Sequence, residues 1–212
     1  ITVEGPNSNM LVPNWVAVKK TGLRVVRDSG GKAVRISARS VLSQAITGLK
    51  ANSLSFKWTW YPEFSAPWIT SIGGTGAKGK NGWNFRVNGL YFPKAANNVN
   101  LGVGDRVTWY WGQEYATVLT ITTPRTGNAP GAVVGPGTFT VTVTETTSKN
   151  KTSPSAGATV TYGTATATTG ADGTASFTPI AGSGNILRVT KAGRIAATKQ
   201  TCTIGTSKDC PS

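Results

Sequence analysis

Histidine is absent from these 212 residues. That absence removes the commonest general base near neutral pH, so neither a Ser-His-Asp nor a Cys-His site can be assembled within the chain. Carboxylates are scarce too. Glu4, Asp28, Glu63, Asp105, Glu114, Glu145, Asp172 and Asp209 are the eight acids, against 22 lysines and arginines. A glycosidase needs two carboxylates facing each other across a cleft. Asp28, Asp105 and Asp172 instead fall at glycine-containing turns, where aspartate ordinarily serves the backbone. No D-x-D-x-D-G calcium loop occurs. The expectation is a protein without enzymatic activity and without a metal. Cysteine is limited to Cys202 and Cys210. With no histidine and no C-x-x-C pair they make a poor metal site, and a disulfide closing a short loop is expected. No apolar run approaches the roughly 18 residues of a membrane-spanning helix. The first residues, Ile1-Thr2-Val3, already read as a strand, without an initiator Met or charged leader. We therefore expect a mature secreted or cell-surface protein whose signal peptide has been removed.

What is present is cationic and rich in glycine. The formal net charge is +14. Fourteen of the cations precede residue 125 and eight lie from Arg125 onward, and Lys19-Lys20 is the only adjacent pair. Charge spread this thinly gives non-specific, salt-sensitive attraction to anionic cell-envelope polymers, not specific nucleic-acid recognition. All seven tryptophans lie before residue 112, so the two halves differ in character. Residues 1–114 read as one module and 115–212 as another, with a linker or long loop over about 124–137, where Pro and Gly cluster.

The most informative stretch runs from Gly82 to Gly112. Trp83, Phe85 and Val87 alternate with Asn84, Arg86 and Asn88, and Val107, Trp109 and Trp111 alternate with Arg106, Thr108 and Tyr110. Both are the period-two pattern of a half-buried strand. Asn88-Gly89 supplies a tight turn, and Gly102-Val103-Gly104-Asp105 a second bend. Gly82-Trp83, Arg86-Val87-Asn88-Gly89, Gly104-Asp105, Val107, Trp109-Tyr110 and Gly112 together resemble the transcobalamin-like C-terminal domain family, over a segment reaching back to Ile1. The resemblance implies a small β-rich module with one packed helix. It also implies an apolar pocket, with cobalamin as the ligand in the animal carriers, where a separate helical domain completes the site. Trp83, Tyr91, Phe92, Trp109 and Trp111 are the candidate pocket residues; as alternating strand positions, the tryptophans most simply build the core.

Elsewhere in the first module, strands are expected at Ile1–Gly5, Leu11–Lys20, Leu23–Arg27 and Leu54–Tyr61, and the segment Ala66–Ile72 follows without an assignment. A helix is expected over about Ser37–Lys50, capped by Ser37 or Ser40. Its apolar face is Val41, Leu42, Ala45, Ile46 and Leu49, leaving Arg39, Ser43, Gln44, Thr47 and Lys50 toward water. Gly73–Gly82, with Lys78 and Lys80, lacks the spacing of a P-loop and reads as a flexible surface loop. Thr117–Thr123 is a strand that either closes the first module or opens the second.

From Thr138 onward short strands at regular spacing argue for an antiparallel sandwich. Pro154–Val160, Thr169–Ala175 and Val189-Thr190-Lys191-Ala192-Gly193 resemble bacterial Ig-like or carboxypeptidase-regulatory-like domains, which implies a spacer or adhesion module. Lys149, Lys191 or Lys199 with Asn150 or Asn185 and Glu145 are the residues from which an internal Lys-Asn crosslink would have to be drawn.

The fold class is thus mostly β: an N-terminal α+β module, a sheet with one packed helix, followed by an Ig-like antiparallel β-sandwich. The leading functional expectation is a non-enzymatic subunit of an extracellular filament, self-associating through strand exchange or sheet edges, or an adhesive module. A small-ligand (corrinoid) binder and a cationic binder of nucleic acid or polysaccharide are the alternatives.

Overall fold

The structure is a computed structural model that describes residues 1–11, 21–124, 132–133, 137–180 and 182–203. Most of the strand expected at Leu11–Lys20, most of the 124–137 linker, and Cys210, hence the Cys202–Cys210 disulfide, lie outside these residues. The protein is mostly β, with several antiparallel sheets and one α-helix among the described residues. It divides into two compact units, Ile1–Tyr115 and Ala116–Ser212.

In the first unit the chain runs β1 (Thr2–Glu4), β2 (Asn9–Leu11), β3 (Leu23–Arg27), β4 (Ala33–Ser37), α1 (Val41–Ala51) and β5 (Phe56–Tyr61). A 3-10 turn (Pro62–Phe64) leads to β6 (Ala66–Ile72), β7 (Thr75–Gly76), β8 (Gly82–Val87) and β9 (Val107–Gly112). The central sheet has the order β2-β1-β9-β8, with β1 parallel to β9 and the other pairs antiparallel. β3-β4 form a two-stranded ribbon, and β5-β6-β7 a three-stranded sheet.

One core joins these pieces. Val3, Val41, Leu42 and Leu49 are fully buried and share a cluster with Trp58, Ile72, Trp83 and Trp109. Each such side chain contributes about 1.5–3 kcal/mol by leaving water. The helix starts at Val41, not Ser37, because Ala33–Ser37 pairs with β3 and buries Val34 and Ile36. Ser40 is the N-cap, its Oγ accepting from Ser43 N at 3.1 Å. Two further donors of the first turn, Val41 N and Leu42 N, reach Val99 O and Ala96 O, each at 2.9 Å. The loop before β9 therefore satisfies groups that a helix start leaves open. Ser43 and Gln44 are buried rather than solvated. Part of the reason is Arg24, whose Nη1 donates to Ser43 Oγ at 3.1 Å and Thr47 Oγ1 at 2.9 Å, roofing that side of the helix.

The central sheet also departs from simple alternation. Trp83 and Trp109 face the core, but on the opposite face Glu4, Arg86 and Tyr110 are buried as well. Arg86, expected toward water, is fully enclosed, its guanidinium carbon 4.9 Å from the Tyr91 ring centre and 6.0 Å from that of Tyr110. Gly73–Gly82 is not a free loop either. It contains β7, and the indoles of Trp83 and Trp111 donate to Thr75 O at 2.7 Å and Gly76 O at 2.9 Å.

The second unit comprises β10 (Val118–Thr122), β11 (Ala132–Val133), β12 (Phe139–Thr146), β13 (Thr152–Pro154), β14 (Thr159–Tyr162), β15 (Ala165–Thr168), β16 (Thr174–Phe177), β17 (Gly182–Thr190) and β18 (Ala197–Thr203). β12 pairs with β10 on one edge and with β13 and β16 on the other, and the second sheet has the order β11-β18-β17-β14-β15. Inward residues of both sheets, among them Ile121, Val141, Val160, Tyr162, Phe177 and Leu187, form a single cluster, so the unit is β-sandwich-like. Phe139, Tyr162 and Phe177 pack as a triad with ring centres 5.3 to 6.1 Å apart. The strand expected at Thr117–Thr123 belongs here, since β10 pairs with β12 over five residues.

Candidate functional site

A groove of about 490 Å³ opens on the first unit, and its walls come from three parts of the chain. Its floor is the tryptophan face of β8 and β9, with Trp83, Phe85 and Trp109. One wall is the β5-β6 connection. There Ser65, at φ 47°, turns the chain out of the 3-10 turn and leaves Tyr61, Phe64 and Trp68 at the rim. Phe64 is 75% exposed and Trp68 53%, high values for such side chains beside a cavity. The other wall, Tyr91 to Ala96, belongs to the excursion between β8 and β9. Leu42 N holds that wall at Ala96 O, and Asn97 Nδ2 ties it across to Ser65 O at 3.2 Å. The groove is thus built on rigid elements and braced at both sides.

Polar groups at the groove are few. Tyr91 OH donates to Glu114 Oε1 at 2.6 Å, and its ring packs edge-on against Tyr115. Burial first, then the neighbouring carboxylate, push the Tyr91 phenol well above its ordinary range, so it remains a donor at all ordinary pH. Tyr110 OH donates to Glu114 O at 2.8 Å. Among the described residues of the lining Lys94 is the single cation and Glu114 the single carboxylate. Trp109, 2% exposed, has no hydrogen-bond partner for its Nε1 among the described residues. A donor shut away from water and left unpaired costs about 1–3 kcal/mol.

Of the aromatic residues nominated from sequence, Trp83, Tyr91, Phe92 and Trp109 line this groove together. Trp111 does not; it is partly buried and holds the β7 backbone instead. Tyr61, Phe64 and Trp68 were missed. Nothing in the local pattern of β5 and β6 distinguishes them from core aromatics, and only the left-handed Ser65 puts them at the rim.

Asp28, Asp105, Asp172 and Glu145, outside the groove, are occupied. Asp28 accepts from the backbone of Gly30, Lys32 and Trp60, Asp105 from Gly102, and Asp172 from Thr174. In the second unit Glu145 receives Arg194 Nε at 3.0 Å and Lys191 Nζ at 3.2 Å, and Lys191 also reaches Ser155 Oγ at 3.4 Å. Among the described residues no group of three His, Cys, Asp or Glu side chains is disposed to hold a metal ion.

Residues 44–113 match a family described as a domain of unknown function, DUF4430, which is associated with transcobalamin-like domains. That span contains the helix except for its first three residues, the groove floor and both walls, but not Glu114 or the strands before residue 44. No Ig-like family is matched in the second unit. No curated protein matches the chain, and no solved structure does.

Proposed function

We propose that this chain is a non-enzymatic ligand-binding protein of the cell exterior, with the aromatic groove of the first unit as its recognition site and the second unit as an Ig-like spacer. The observation that carries the reading is Trp109. Among the described residues its buried indole N–H finds no acceptor, beneath a preformed, mostly apolar groove whose floor the ring helps to form. That is expected where a seated ligand draws the indole toward an oxygen or nitrogen of its own. The preferred ligand is flat and apolar with an acceptor at its inner edge, so that Trp68 and Phe64 can stack on it. A corrinoid is the first candidate to try, on the strength of the resemblance over the groove residues.

The test is a titration of the full chain with cobalamin, and with anilinonaphthalene sulfonate as a generic apolar probe, followed by tryptophan fluorescence. Saturable binding that Trp68→Ala weakens without changing the circular dichroism supports the groove. Saturable probe binding without cobalamin binding keeps the groove and removes the corrinoid. Absence of both overturns the reading.

A second reading, self-association at a sheet edge, is favoured by β15. Among the described residues this outer strand pairs only with β14, and its Ala-Thr-Ala-Thr sequence carries no charge, proline or bulge to deter a neighbour. Concentration-dependent assembly on size exclusion, abolished by Thr166→Lys, would favour it. A monomer at all concentrations would remove it.

A further inference from the structure

The β3-β4 ribbon carries a face that neither the core nor the groove uses. Val26, Val34 and Ile36 point inward and are buried. The outward register pairs Leu23 with Ser37, Val25 with Arg35, and Arg27 with Ala33. Leu23 is 70% and Val25 60% exposed, two of the largest aliphatic exposures in the unit. Cations bracket them: Lys32 in the turn, Arg27 and Arg35 on the strands, and Arg39 just beyond β4, all exposed. From residue 21 to residue 62 the sequence holds seven cations and one acid. That acid, Asp28, is turned into its own loop, where the backbone N–H groups of Trp60, Lys32 and Gly30 hold its carboxyl below the ordinary range. Of the four outward cations only Lys32 also bears on it through charge, and among the described residues no salt bridge joins it to Arg27, Arg35 or Arg39. Arg27 and Arg35 stand diagonally across the two strands, about 7–8 Å apart at their backbones, a like-charge arrangement that an external anion relieves.

We propose that this outward face docks on an anionic lipid surface, with Arg27, Lys32, Arg35 and Arg39 meeting headgroup phosphates and Leu23 and Val25 entering the acyl boundary. Charge complementarity selects an anionic partner. The exposed aliphatic pair selects a lipid surface among anionic partners. A soluble polyanion leaves Leu23 and Val25 in water and gains nothing from them, whereas an interface takes them up while the long arginines remain at headgroup level. The site is independent of the groove, and its test does not depend on any groove ligand.

The test is co-sedimentation of the full chain with vesicles of phosphatidylcholine alone, or with about 30% phosphatidylglycerol, the anionic charge that draws basic segments. Binding is expected only to the anionic vesicles and is expected to fall steeply with salt. Arg27→Gln with Arg35→Gln should weaken it about 30-fold, from roughly five-fold per cation. Leu23→Ser with Val25→Ser should weaken it about ten-fold. All four positions are exposed, so folding is retained and circular dichroism verifies it. Val103→Ser, at a 98% exposed residue elsewhere in the unit, should change nothing. Equal binding to uncharged vesicles, no binding to either kind, or an aliphatic pair whose removal has no effect would each overturn the proposal. The last result would instead mark the face as a reader of soluble polyanions.

Discussion

The side-chain amide of Asn88 donates to Asp105 Oδ1 at 2.8 Å, and its Oδ1 accepts from Arg106 N at 2.9 Å. The two residues stand at opposite ends of the excursion that forms one wall of the groove. Asp105 Oδ2 in turn accepts from Gly102 N at 2.7 Å, closing the bend that leads into β9. Asn88 sits at φ 53° and Gly89 at φ 79°, the left-handed pair of a two-residue turn. The Asn-Gly and Gly-Asp motifs, separated in sequence, are thus two halves of one clasp.

Asn88→Ala breaks both side-chain bonds and puts a Cβ-only residue in the left-handed region. A loss of about 2–4 kcal/mol is expected, one part for the bonds and one for the backbone. Asn88→Gly keeps the backbone and should lose only the first part, about half. Urea unfolding followed by tryptophan fluorescence, which reports this unit alone because it holds every tryptophan, measures both. Equal losses in the two variants would show that the bonds, not the backbone, dominate.

How far the sequence carried depends on what each residue touches. The Asn88 and Gly104 turns, the alternation of Trp83 and Trp109, and the apolar stripe of α1 are local signals, and the structure bears them out. Arg86, Ser43 and Gln44 were read toward water because period-two and period-3.6 patterns assume one wet face. Here the central sheet is covered on both faces and α1 is roofed by Arg24 and the loop before β9. Long-range cover of this kind leaves no periodic mark. β4 was missed for a related reason: its alternation, Val34 and Ile36 against Arg35, is short and runs straight into the helix. The groove was half legible. Its floor follows from strand alternation, but its rim depends on the left-handed Ser65, a serine that nothing in the sequence sets apart.

Gly173 and Gly193 make a controlled pair in the second unit. Both have positive φ, 77° and 70°. A Cβ on Gly193 meets nothing within 4 Å, whereas on Gly173 it would stand 2.5 Å from Val143 O and 3.0 Å from Ser155 N. Those backbone atoms are already joined to each other, Ser155 N to Val143 O at 2.9 Å, and Val143 N reaches Gly173 O at 2.8 Å. Gly193→Ala should cost about 1–2 kcal/mol, the left-handed penalty alone. Gly173→Ala should exceed that by about 1–3 kcal/mol of forced displacement. Thermal unfolding followed by far-ultraviolet circular dichroism ranks them, and similar costs would mean the β12-β13 junction yields freely.

Acid should loosen the second unit through Glu145. Arg194 foremost, then Lys191, hold its carboxyl below the ordinary carboxylate range, against an opposing push from partial burial. A depressed folded-state value means the stabilisation is complete above the unfolded-state value, about 4.3, and disappears as pH falls through the folded one. Glu145→Gln should therefore lower stability at pH 7 by about 1 kcal/mol, discounted for partial exposure, and flatten the dependence below pH 5. Some slope should persist, because Thr174 holds the Asp172 carboxyl low through its backbone N–H and hydroxyl, and that group titrates in the same direction. Unfolding midpoints of the two proteins between pH 3 and 7 decide it; parallel curves would show that Glu145 contributes nothing to the acid sensitivity.

Trp109 separates the roles of core and site. Without ligand its indole N–H gains nothing from any described partner. In Trp109→Phe the packing lost, about 1–3 kcal/mol, is therefore largely offset by removal of the unpaired donor, about 1–3 kcal/mol, and stability should change little. A groove ligand that accepts from that N–H would bind the variant about three- to ten-fold more weakly, the worth of one hydrogen bond. Trp68→Ala is the complement: at a half-exposed rim position it should leave stability almost unchanged and weaken the same ligand by loss of stacking. The pair of measurements, chemical unfolding and ligand titration on each variant, distinguishes a structural tryptophan from a recognition one. If Trp109→Phe binds as tightly as the parent protein, the free N–H is only a tolerated flaw in the core. The groove would then have to recognise its ligand through the rim alone.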